Sequence, residues 1–131
     1  MYFKLTPDIT LPVDWTPIGC TKDGSTNIQN GANLNAFSGT IDGDGKTLTV
    51  PTGGFPLLGY VKDTTVKNLN IYGEQINGAG LVNNYTGVGL SGNAITLENV
   101  CLKSGTKTLK SGLIASSAGS IFACSSAGFV I

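Results

Sequence analysis

Short apolar runs alternate with polar positions along the chain, and a turn closes each run before the next one starts. In positions 6–11, Ile9 and Leu11 are spaced by one polar residue. Leu48 and Val50 alternate with Thr47 and Thr49 up to Pro51, whose missing N–H ends a strand ladder. Positions 37–41 form another such run, reached through a Gly- and Asn-rich loop over 23–35. A period of two is that of a strand, whereas a helix needs apolar residues at spacings of three and four. Gly, Pro, Asn or Asp interrupts nearly every ten-residue window. The pattern predicts an all-β chain.

A longer period lies over the short one. Positions 64–71 align with 95–102, placing Val66 on Leu97, Asn68 on Asn99, Leu69 on Val100 and Ile71 on Leu102, each pair 31 residues apart. A Gly-plus-apolar pair precedes each copy, at Gly54-Phe55 and Gly80-Leu81. A third, Gly112-Leu113-Ile114, is followed by a looser apolar strand near Ile121. Repeats of roughly 20 to 50 residues mark wound or arrayed architectures. Coils of this length add short strands to parallel sheets, with equivalent side chains stacked about 4.8 Å apart. Asn68 and Asn99 then fall at one bend, where side-chain amides stack into a ladder. The expected architecture is a parallel β-helix, a solenoid of about four or five coils, filling residues 1–131 as a single domain. A shallow antiparallel sandwich is the rival, and its hairpins would give shorter, more even spacing.

Charge narrows the partners. Eight basic residues, all Lys, balance eight acidic ones in 131 residues, for a net charge of zero. Without Arg or a basic patch the chain lacks the footprint of a nucleic-acid binder. Without His it lacks the commonest general base and metal ligand. A hydrophobic content of 40% is enough for a core and argues against disorder. Cys20, Cys101 and Cys124 show no paired spacing, so they read as small buried apolar residues rather than zinc ligands; one disulfide with a leftover thiol is the lesser reading.

The two ends differ. Met1-Tyr2-Phe3-Lys4-Leu5 has neither the basic nor the apolar region of a signal peptide. After Lys110 no residue is charged, and the chain finishes Phe129-Val130-Ile131. This stretch has the length of a membrane span, but its Ser and Gly content and missing basic anchor favour short strands, so no span is expected. Natural solenoid caps are polar. Residues 111–131 are therefore read as an uncharged terminal coil that a partner covers: another copy or a larger protein, docked at Phe129, Val130 and Ile131.

Three segments together resemble a known pattern: Tyr2-Phe3-Lys4-Leu5-Thr6-Pro7-Asp8-Ile9, then Trp15-Thr16-Pro17-Ile18-Gly19, then Phe37-Ser38-Gly39-Thr40-Ile41-Asp42-Gly43-Asp44-Gly45-Lys46-Thr47-Leu48. Their order is similar to that of GLUG-motif β-solenoid modules, and Gly54-Phe55-Pro56-Leu57-Leu58-Gly59 with Val66-Lys67-Asn68-Leu69 matches the elements that follow. The similarity covers residues 2–73 well and 78–131 loosely. It implies a right-handed solenoid and an adhesin-like role on a bacterial cell surface. A short chain without a visible anchor also suits the exterior of a phage virion.

Candidate chemistry is sparse. Asp42 and Asp44 are alternate carboxylates in reach of one calcium ion, but Lys46 and Gly53 occupy positions where an EF-hand needs ligands, so a tight turn is the better reading. Ser nucleophiles have no His partner, and no Arg is present to hold a uronate. No catalytic residue and no cofactor are expected, and the chain is read as a non-enzyme. Trp15, Tyr60 and Tyr72 are the candidates for stacking on a sugar. The expected function is a non-catalytic structural or attachment module outside a cell or virion. The alternative is a carbohydrate-binding module, or a degraded polysaccharide-active β-helix, with a surface glycan as partner.

Overall fold

A computed structural model describes residues 1–19, 28–29, 32–33, 37–59, 61–85, 95–109, 112–116, 119–121, 124–125 and 129–130. These residues contain strands and turns and no helix. The main sheet is parallel except for its last two strands and curls around an apolar interior. On one wall β1 (Tyr2–Lys4) pairs with β5 (Phe37–Asp42), which pairs with the first half of β7 (Val61–Tyr72), which pairs in turn with β9 (Ile95–Leu102). On the adjoining wall β2 (Ile9–Thr10), β6 (Thr47–Thr49) and the second half of β7 follow one another, again with β9 beyond. A third row of parallel bridges joins Ile18 to Leu58 and Leu58 to Val82, and continues from β8 (Val82–Tyr85) to β10 (Ile114–Ser116). The parallel pairing of the main sheet is the opposite of what the sandwich would require.

β7 and β9 each turn from one wall to the next without breaking. The bends are Asn68 and Asn99, with φ of 54° and 55°. A straight strand would alternate faces; the left-handed residue resets the alternation, so that Val66 and Leu69 both face inward, as do Leu97 and Val100. Asn is among the few side chains that tolerate this backbone region. A second irregularity sits where β5 meets β7, between Phe37 and Gly39. There β7 carries an extra residue with Asp63 at φ 47°. The buried Thr64 hydroxyl lies 2.9 Å from the Phe37 carbonyl oxygen and 3.0 Å from that of Lys62, within donating distance of both at the bulge.

Parallel register stacks like on like. Phe3, Ile41, Val66 and Leu97 are partners across four strands, as are Ile9, Leu48, Ile71 and Leu102. Ile41, Leu48, Val66, Ile71 and Leu97 are buried. Each such side chain contributes about 1.5–3 kcal/mol through burial. On the outer face Lys4, Asp42, Lys67 and Glu98 are partners in the same way, so charge alternates in sign from strand to strand.

The C-terminal stretch changes direction. β10 runs parallel to β8, but β11 (Gly119–Ile121) returns antiparallel on β10. β12 (Cys124–Ser125) and β13 (Phe129–Val130) lie antiparallel along the outer edge of β9. A hairpin needs few linking residues, whereas another parallel layer would need a full circuit of chain. Separately, β3 (Ile28–Gln29) and β4 (Ala32–Asn33) form an antiparallel pair. Cys101 is disulfide-bonded, which corrects its reading as a small buried apolar residue in favour of the lesser reading, a disulfide. Its partner in the β9–β12 register is Cys124, while Cys20 lies outside the described residues. Cross-strand proximity of two cysteines distant in sequence is invisible to a count of spacings.

Candidate functional site

Three surfaces carry the residues singled out from sequence. The first is a polar spine along the bend. Asn99 Nδ2 donates to Asn68 Oδ1 at 3.2 Å, and Asn68 Nδ2 donates to Asp42 Oδ1 at 3.4 Å. Asp42 Oδ1 also accepts the Asp44 N–H at 2.9 Å, and Oδ2 accepts the Tyr2 hydroxyl at 2.9 Å. The spine thus runs from β9 through β7 and β5 to β1. The Asp44 N–H first, and then the Tyr2 hydroxyl, hold the Asp42 carboxyl below its ordinary range. The bond to Asp42 raises the Tyr2 hydroxyl in return, with burial and the Asp42 and Asp44 charges adding to it. Lys67 Nζ lies 5.9 Å from the Tyr2 ring centroid, and Lys4 Nζ lies 3.9 Å from Asp44 Oδ1.

Of the two candidate calcium carboxylates, Asp42 is engaged through both oxygens by protein donors, and Asp44 makes an exposed ion pair with Lys4. Among the described residues no three His, Cys, Asp or Glu side chains gather as a metal site. The turn they form is tight: a Cβ on Gly43 would sit 2.5 Å from the Asn68 carbonyl oxygen.

The second surface is an open polar groove beside Tyr72. Two adjoining depressions of about 370 and 350 Å³ share Glu74, Gln75 and Lys107 as lining. Tyr72 donates its hydroxyl to Glu74 Oε1 at 3.4 Å, and a Cβ on Gly105 would sit 3.7 Å from the Tyr72 ring at Cε1. The walls are joined by Lys107 N–H to the Gly73 carbonyl at 3.0 Å and by Ile76 N–H to the Lys107 carbonyl at 2.9 Å. A phenol, a carboxylate, an amide and an ammonium group around an open trough suit the diols of a saccharide. Tyr72 is a candidate from the sequence that lines this groove, whereas Glu74, Gln75 and Lys107 were not singled out there. The 31-residue register extended past Leu102 would have set 73–76 beside 104–107, one residue short of the observed Ile76–Thr108 bridge.

No protein family model, curated protein or solved structure matches this chain. The geometry therefore carries the functional reading.

The other predicted residues are dispersed. Trp15 is half-buried against the core and donates Nε1 to the Leu57 carbonyl at 3.3 Å, a packing role. Tyr60 and Ile131 lie outside the described residues. Phe129 is the register partner of Leu97, and Val130 that of Thr96. No helix among the described residues is long and apolar enough to cross a membrane.

The third surface is an apolar cavity of about 460 Å³ at the N-terminal end of the stack, lined by Met1, Phe3, Leu5, Ile18, Phe37 and Leu57 among others. It is open to the outside.

Proposed function

We propose that the chain is a right-handed β-solenoid of about four or five coils, resembling GLUG-motif modules. It serves as a non-catalytic structural or attachment element on a bacterial surface or virion exterior. One observation carries this reading: the continuous parallel register from β5 through β7 to β9, with Asn68 and Asn99 bonded to each other at successive bends. A column of that kind is stiff, and its neutral exterior suits a structural part. Both oxygens of Asp42 are taken by Tyr2, Asn68 and a backbone N–H, and Asp44 lies 3.9 Å from Lys4 Nζ, which supports a structural role for this turn. Antibodies raised against the chain test the reading on intact cells and virions of the source. Labelling before any lysis is expected; labelling confined to lysed material would overturn it.

The groove beside Tyr72 favours a second reading, a carbohydrate-binding module. A glycan array separates the two, since specific binding abolished by Tyr72→Ala would replace the structural role.

A further inference from the structure

The two ends of the stack are finished differently. At one end the outer edge of β9 is paired by β12 and β13, and the side chains beneath, Leu97, Val100 and Leu113, are 0% exposed. At the other end β1 has no strand on its outer side among the described residues. Met1 is 79% exposed, Tyr2 57%, Phe3 48% and Ile18 38%, and the apolar cavity opens between them. We propose that this N-terminal end is a homodimer interface, closed by β1 of a second copy paired antiparallel about a two-fold axis. The inference goes beyond the solenoid reading and needs only the observed pairing of β1 with β5.

The backbone supplies the register. Met1 accepts from the Thr40 N–H and Leu5 donates to the Asp42 carbonyl, so odd-numbered residues of this segment face β5. By the alternation of a parallel strand, the N–H and C=O groups of Tyr2 and Lys4 face the open edge. A two-fold axis through Phe3 then sets Tyr2 of each copy opposite Lys4 of the other, with four new backbone hydrogen bonds. The two Phe3 rings become direct neighbours over the joined cavities. No like charges are opposed, and each Lys4 ammonium is placed against a tyrosine ring, the kind of contact Lys67 already makes with Tyr2.

Area and symmetry favour a second copy as the occupant. The exposed parts of Met1, Tyr2, Phe3 and Ile18 amount to about 450 Å² per copy, about 900 Å² in all, which is the size of a weak and reversible complex. Head-to-tail stacking would need the β9 edge, which the chain itself fills, so the assembly closes at two.

Sedimentation equilibrium from about 1 to 200 μM reads the result. A reversible shift from one to two chain masses is expected. Phe3→Lys should weaken association at least tenfold while leaving the far-ultraviolet circular dichroism unchanged. Should that variant fail to fold, Phe3→Cys in a Cys20→Ser background gives a second measurement. Facing Cα atoms about 4.5 Å apart permit a disulfide, so oxidation yields a covalent dimer that Cys20→Ser alone does not form. A wild-type monomer throughout, a dimer indifferent to Phe3→Lys, or growth beyond two chains would each overturn the proposal.

Discussion

Asn68 is both a backbone device and a link in a chain of side chains. Its φ of 54° lets β7 turn a corner, and its amide connects Asn99 to Asp42. Alanine pays for the left-handed backbone and also loses the bonds, so Asn68→Ala should lower unfolding free energy by about 2 kcal/mol in a urea titration. Asn68→Gly keeps the bend and should cost about half as much. Asp42 makes the same network sensitive to acid. Its folded pKa lies below its unfolded value, so its contribution is complete above about pH 4 and fades as pH falls through the folded value. The stability gap between wild type and Asp42→Asn, followed by urea midpoint from pH 7 to about 2.5, should therefore narrow with acid. Asn68 and Asn99 were legible because one residue type recurred at one spacing. Asp63, equally left-handed, was not, because its bulge exists only against Phe37 and Gly39 of another strand.

Legibility among the strands followed the regularity of the repeat. The pairing of β7 with β9 could be read off the 31-residue repeat, and Val66–Leu97 and Ile71–Leu102 are partners at that offset. The pairing of β5 with β7 has a different offset, and the 42–46 turn bulges where β7 bends on a single residue, so no fixed period reveals it. That turn passes close over β7. A Cβ at Gly43 would meet the Asn68 carbonyl oxygen at 2.5 Å and Leu69 Cα at 2.8 Å, both backbone atoms that cannot swing aside. Gly43→Ala should cost about 2–3 kcal/mol, measured by calorimetry. The antiparallel return of β11 to β13 was hidden for another reason: an uncharged Ser- and Gly-rich stretch pairs in either direction, and only the neighbouring edge selects one.

Across the molecule, covalent and non-covalent reinforcement gather at the C-terminal end. Cys101 stands on β9, where the returning strands lie, and its disulfide holds that region. Reductant should lower the melting temperature of the wild type, and Cys101→Ser should show the same loss with no further response. Loss of a native disulfide typically costs about 2–5 kcal/mol. The alternating outer column has a different consequence. Lys4, Asp42, Lys67 and Glu98 follow one another across four neighbouring strands. If a nascent winding skipped a layer, Lys4 would land on Lys67, or Asp42 on Glu98, and every such misthreading sets equal signs face to face. Each correct neighbour sets opposite charges side by side, so the column itself disfavours a wrong order of layers.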